Sequence, residues 1–298
     1  MKRLYLLIAV VALCGGGLWA VSTNHHGERS ASNTGILTTS SSTTSVPTTT
    51  TQPVAQSANG SGDTSWEPVA IPVVNPPTAS GVLDGKVVGI DPGHNGMNYS
   101  ETSLINQLIW NGNGNESCDT TGTETNDGYA EAQFNFNVAQ YLAADLQAEG
   151  AKVVLTRSSN SGVGPCIDQR ATMLNNAGAN VSIDIHADGG PPSGRGFTVL
   201  EPVADGPNNA VIGSSAQFGA DLVAAFQATG MPLSNYDGSN GVAQRNDLAG
   251  LNLTTQPKVL IETGNMRNGT DASMLESPVF QQSAAAAMAQ AITTFLTQ

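Results

Sequence analysis

A single α/β domain, built on a twisted, mostly parallel but mixed sheet with helices on both faces, is what the larger part of this 298-residue chain predicts. Three observations carry that expectation. Short β-branched runs recur from Lys86 onward, and segments with apolar residues at helical spacing fall between them. Such alternation is the pattern of strands joined by helical crossovers. Two of the helical segments close on glycine, at Gly150 and Gly230, and a left-handed glycine is a common helix stop. Residues 83–298 are also long enough to enclose one sizeable core.

The elements follow in order. Lys86–Ile90 reads KVVGI, a short strand. Asn98–Tyr129 is rich in Asn, Gly and Thr and reads as a long irregular loop. Phe134, Val138, Tyr141, Leu142 and Leu146 then recur at helical spacing up to Gly150. Lys152–Leu155 is the next strand and Asp168–Ala177 the next helix. Strands follow at Val181–Ile185 and Phe197–Leu200. Ala216–Ala228 is amphipathic and helical, Lys258–Ile261 is a strand, and the Ala-rich Gln281–Leu296 is a closing helix.

The N-terminus has the makings of an export signal over residues 1–22. Lys2 and Arg3 precede the apolar run Leu4–Leu13, Gly15–Gly17 loosen it, and Ala20 offers a small-residue cleavage site. The other reading is an uncleaved anchor, because Leu4–Val21 is about 18 residues, near the lower limit for a span. A lipid-modified Cys14 is disfavoured by Leu13, which stands where that signal wants a small residue. Residues 23–82 read as a linker: Thr38–Thr51 is almost all Ser and Thr, and Pro53, Pro68, Pro72, Pro76 and Pro77 follow. Such a stretch buries too little apolar surface to offset its ordering entropy, so disorder is expected. It suits a tether that carries a folded domain away from a membrane through residues 4–21, or out into a wall layer.

The formal charge of −13 sets the chain against phosphate backbones, so nucleic acid is not expected as a partner. Signal and anchor alike place the remainder outside the cytoplasm, where disulfides persist. Of three cysteines, Cys118 and Cys166 remain beyond the leader and are expected to pair. The bridge would close a loop of about 48 residues, worth roughly 4 kcal/mol in the chain-entropy model.

Chemistry concentrates at strand ends. Of four histidines, His25 and His26 fall in the linker, which leaves His94 and His186. Each follows a predicted strand, and in open α/β sheets sites form beyond the carboxyl ends of strands. Glu262 leaves the run Lys258–Ile261 at the same edge, where a buried acid is costly unless used or paired. Glu131 heads the first long helix, where capping by the helix dipole is the plainer explanation. Two imidazoles, one carboxylate and an open fourth position suit a catalytic zinc ion. A second carboxylate nearby can move the proton.

Several segments occur in a fixed order: Asp91-Pro92-Gly93-His94-Asn95-Gly96, Glu131 at its helix start, Leu155-Thr156-Arg157, Arg170, Ile185-His186-Ala187-Asp188 and Val259-Leu260-Ile261-Glu262-Thr263-Gly264-Asn265. On these the sequence resembles the zinc-dependent type 3 N-acetylmuramoyl-L-alanine amidases over residues 84–298. It looks most like their mycobacterial and actinobacterial branch, through Asn95-Gly96-Met97-Asn98, the Cys118 and Cys166 pair, Asp188-Gly189-Gly190-Pro191-Pro192 and Asp247-Leu248-Ala249-Gly250-Leu251-Asn252-Leu253. The resemblance implies zinc on His94, Glu131 and His186, with Glu262 as the catalytic carboxylate. It also implies peptidoglycan or a muropeptide as substrate, cut between the lactyl group of N-acetylmuramic acid and L-alanine. Asp91 and Asp184 are the carboxylates expected to support the ligands. Asp184 stands where many family members have Ser; strand alternation puts it on the same face as His186, and its other reading is an extra charge that disturbs the site. A second departure is the Asn/Gly-rich loop between His94 and Glu131, which replaces the usual glycine-rich stretch. A monomeric, extracytoplasmic enzyme is expected. The alternatives are a homologue that only binds or regulates, and a zinc carboxypeptidase acting on the stem.

Overall fold

The computed structural model describes residues 69–70 and 81–298. Residues 4–21, expected as signal or anchor, lie outside the described residues, as does nearly all of the expected linker. Among the described residues no helix is long and apolar enough to cross a membrane.

The strands are β1 (Val69–Ala70), β2 (Val87–Pro92), β3 (Leu108–Trp110), β4 (Asn115–Ser117), β5 (Lys152–Leu155), β6 (Val181–Asp188), β7 (Thr198–Pro202), β8 (Val242–Arg245) and β9 (Lys258–Asn265). The helices are α1 (Thr102–Ile105), α2 (Glu131–Ala148), α3 (Ile167–Asn176), α4 (Ile212–Phe226), α5 (Ala249–Asn252), α6 (Gly269–Leu275) and α7 (Pro278–Thr297). Among the described residues, seven strands form one sheet in the order β1-β5-β2-β6-β9-β7-β8. The central pairs are parallel, whereas β1 runs antiparallel to β5 and β7 antiparallel to β9. The expected mixed, mostly parallel sheet is therefore present.

Side-chain alternation along the strands sorts the molecule into two chemistries. Ile183, Ile185, Val259, Ile261 and Val199 point to one face and join the main core, which includes Phe134, Leu142 and Leu146 of α2, Phe218 and Leu222 of α4, and Met288 and Ile292 of α7. Asp184, His186, Leu260 and Glu262, one residue out of phase, point to the other. There Leu200 and Leu260 meet Leu251 of α5 in a small second cluster, and Leu174 of α3 presses so closely on Gly89 that a Cβ would lie 2.9 Å from its Cδ2. Helices thus cover both faces, and the thinner cover lies over the polar one.

Predicted boundaries hold within a few residues, and β6 and β9 extend three or four residues past their apolar runs. Those extensions carry His186 and Glu262. Gly150 and Gly230 follow their helices with φ of 97° and 84°. The expected loop 98–129 is less irregular than it reads: it holds α1 and the β3–β4 hairpin. Cys118 and Cys166 are joined, and the bridge pins the hairpin's exit to the start of α3.

Candidate metal centre

His94 sits just past β2 with φ of 58°, a left-handed conformation uncommon for a side chain with a Cβ. Its backbone is held in place by two arginines. Arg170 donates from Nη2 to the His94 carbonyl at 3.0 Å and from Nη1 to that of Pro92 at 2.9 Å. Arg157 donates from Nε to Pro92 O at 2.8 Å and from Nη2 to Ala132 O at 2.8 Å, tying the end of β2 to the first turn of α2. The turn carrying His94 leaves several carbonyls in need of partners, and these two long, many-donor side chains reach them.

Glu131, His94 and His186 converge, with one ligand atom of each within 4.8 Å of the others. Glu131 Oε1 is 2.8 Å from His186 Nδ1, and Oε2 is 3.3 Å from His94 Nε2. The Thr123 N–H donates to Oε2 at 2.9 Å and the Ala187 N–H to Oε1 at 3.3 Å. Glu131 therefore does not cap its own helix; it spans the two imidazoles. The rings meet edge to face, centroids 4.8 Å apart at 87°. Two glycines make the approach possible. A Cβ on Gly93 would overlap the His186 ring, and one on Gly122 would lie 2.8 Å from both Glu131 Oε2 and His94 Cδ2.

Glu262 faces His186 across the β6–β9 pair. Its Oε2 is sealed from solvent and has no hydrogen-bond partner. Burial, and then the charges of Glu131 and Asp188, push its carboxyl well above the usual range. Glu131 goes the other way: burial opposes ionisation, but the His94 and His186 rings hold it well below that range. Burial also depresses His94, yet Glu131 and Asp119 together raise it to about 10. Environments that drive two neighbouring carboxyls in opposite directions give them distinct roles.

The four residues line a cleft of about 480 Å³ together with Asp119, Thr123, Asp188, Arg245 and Leu260. The two expected supports lie nearby but do not touch the histidine rings. Asp91 accepts from Thr156 Oγ1 at 2.6 Å and Arg170 Nη1 at 2.7 Å. Asp184 forms an ion pair with Lys258 Nζ at 2.8 Å. Its carboxyl is raised to about 6 by burial, with Lys258 pulling it down and Asp91 pushing it up. The carboxylate that does reach a histidine ring from behind is Asp119, which sequence reasoning missed. It lies in the loop after Cys118, where no strand or helix period marks it. Lys258 was missed too, taken for the polar start of a strand.

Two imidazoles just past or within strands of an α/β sheet and a carboxylate at the start of α2, beside an unpartnered carboxyl, form a cluster that could hold a metal ion. The chain belongs to the N-acetylmuramoyl-L-alanine amidase family, whose model matches residues 88–294. It is 40% identical to an N-acetylmuramoyl-L-alanine amidase of Mycobacterium tuberculosis over 229 residues, 76% of this chain and 93% of the relative. The crystal structure of an N-acetylmuramyl-L-alanine amidase from Mycobacterium smegmatis superposes with a TM-score of 0.68 at 39% identity, over 72% of this chain and 98% of the other. The apo enzyme from Mycobacterium abscessus also gives 0.68, at 40% identity, over 72% of this chain and 99% of the other.

Proposed function

We propose that the chain is a zinc-dependent peptidoglycan hydrolase that cuts the amide between the lactyl group of N-acetylmuramic acid and L-alanine of the stem peptide. The observation that carries this reading is the convergence of His94, Glu131 and His186 within 4.8 Å beside the unpartnered Glu262. The donor set fits zinc: two imidazoles and one carboxylate, with a cleft on the open side. His94, Glu131 and His186 would hold the ion, which when bound supplies Lewis acidity and a lowered pKa for water.

The chain's own residues do the rest. Glu262 accepts a proton from the attacking water and delivers it to the alanine nitrogen as the C–N bond breaks. Its partial burial makes it a better proton acceptor than a solvated carboxylate. Glu131 stays ionised between the imidazoles and keeps them aligned. Leu260 and Leu200 give the cleft floor an apolar wall that limits bulk water.

Substrate and architecture follow from the same reading. Residues 1–22 act as signal or anchor, 23–82 as tether, and 83–298 as the catalytic unit. The enzyme works outside the cytoplasm as a monomer on peptidoglycan or its muropeptides. Product analysis by mass spectrometry on a purified muramyl-peptide, with and without a chelator, tests the proposal. Free lactyl sugar and an intact L-alanine peptide, lost on chelation and restored by zinc, are expected. Release of a terminal amino acid would instead indicate a carboxypeptidase, and no cleavage by folded, zinc-loaded protein would indicate a binding role.

A further inference from the structure

His94 Nδ1 is surrounded by oxygens. Asp119 Oδ1 lies 3.1 Å away, the Thr120 carbonyl 3.2 Å and Thr120 Oγ1 3.3 Å. A ring nitrogen facing a carboxylate and a carbonyl carries hydrogen, so Nδ1 donates. Nε2 is then the nitrogen turned toward Glu131 Oε2 and the ligand cluster.

Asp119 is itself firmly held. Its Oδ1 accepts from the Thr120 N–H at 2.7 Å, and its Oδ2 accepts from Asn95 Nδ2 and Arg170 Nη2, both at 3.3 Å. Its side chain is almost fully buried, as is that of Arg170. Cys118, the residue before it, is bonded to Cys166, the N-cap of α3, and α3 carries Arg170. The disulfide thus ties the backbone of Asp119 to the helix that supplies its cationic partner. The proton transfers assigned above make no use of Asp119.

We propose that Asp119 is a positioning residue for the metal, holding His94 through Nδ1 so that Nε2 is the nitrogen presented to the ion and making that nitrogen a stronger donor once its proton is displaced. The inference rests on the zinc reading given above. A carboxylate behind a ligating histidine contributes about 10–100-fold in metal affinity. The Thr120 carbonyl can still receive the Nδ1 hydrogen without Asp119, but it carries no full charge, so the loss is partial.

The test is the zinc dissociation constant of the full chain, of D119N and of D119A, measured by competition with a chromophoric chelator. The thermal midpoint of each metal-free protein is recorded alongside. Both folded variants are expected to bind zinc about 10–100-fold more weakly, with D119N keeping a metal-free midpoint near the parent's. Parent-like zinc affinity in the folded variants would overturn the proposal, since a purely structural Asp119 moves the midpoint and leaves the affinity alone. Failure of both variants to fold would likewise assign Asp119 to the fold. A parent that binds no zinc, or that binds it as well after His94→Ala, would mean that the metal reading itself has failed, a separate outcome.

Discussion

Lys258 Nζ lies 2.8 Å from Asp184 Oδ1, and both side chains are shut off from solvent beneath the cleft. Gly250 of α5 closes over them, so tightly that a Cβ there would lie 2.8 Å from Asp184 Oδ2. Asp184 borders the cleft but is almost fully buried, and Lys258 is fully buried, so each charge depends largely on the other. Asp184→Ala would leave a buried ammonium uncompensated and is expected to cost about 3–5 kcal/mol. Replacing both together, as Asp184→Ala with Lys258→Ala, is expected to recover most of that loss, because neither charge is then stranded. Chemical denaturation of the four proteins in the cycle checks this. A single variant within about 1 kcal/mol of the parent would show that the charges are not interdependent.

This pair also shows where sequence reading stops. Strand alternation alone places Asp184 and His186 on one face, and the structure agrees. It does not say which neighbour Asp184 meets, because β9 lies beside β6 only through long-range pairing. His94, His186 and Glu262 were legible because they end apolar runs, and strand ends are where such folds build sites. Glu131 was ambiguous because an acid at a helix start has an ordinary explanation, and only the third dimension shows it spanning both rings. Asp119 and the hairpin were illegible: a polar loop carries no period, and its path here is set by a disulfide and by contacts such as Glu116 Oε1 accepting from the Ala249 N–H at 2.8 Å. The short strand β8 reads VAQR, too brief and too polar to announce itself.

Zinc uptake should release protons. In the metal-free site burial depresses His94, but Glu131 and Asp119 raise it to about 10, so Nε2 keeps its hydrogen through the neutral range. A metal ion needs that lone pair and must displace the proton. Affinity is therefore present at high pH and lost as pH falls, by about tenfold per pH unit for one displaced proton. Chelator competition between about pH 6 and 8 reads the slope, and calorimetry in buffers of different ionisation enthalpy counts the proton. A flat affinity over that range would contradict the coupling.

Gly93 is required by space rather than by backbone freedom. Its Cα faces the His186 ring, and an added methyl would occupy the position of the ring itself. Gly93→Ala is expected to swing His186 away from Glu131, weakening zinc binding and lowering turnover by about 100-fold, the scale of a misplacement of about 1 Å. Stability should fall by only about 1–3 kcal/mol, the usual cost of overpacking. Zinc affinity and a denaturation curve measured together decide it. A variant with parent-like zinc affinity would show that the ring has another place to sit.

Glu262→Gln separates proton handling from metal binding. The amide is nearly the same size, so the cleft keeps its shape, and none of the three proposed ligands is touched. What disappears is a proton acceptor, and with it about 100- to 10,000-fold in turnover is expected to go. Zinc stoichiometry should stay that of the parent. The direction of the stability change follows from the carboxyl's environment. Burial first, and then Glu131 and Asp188, raise it well above its ordinary value, so the folded state holds this proton more tightly than the unfolded chain does. Stability is then greatest below the unfolded pKa and declines as pH rises through the folded one. A neutral Gln is exempt from that decline, so the metal-free variant should melt at or above the parent's midpoint at neutral pH, and the gap should close on acidification. Loss of turnover with zinc retained and the midpoint held or raised is the expected set. Near-parent turnover would remove Glu262 from the chemistry, and loss of zinc would make it a ligand.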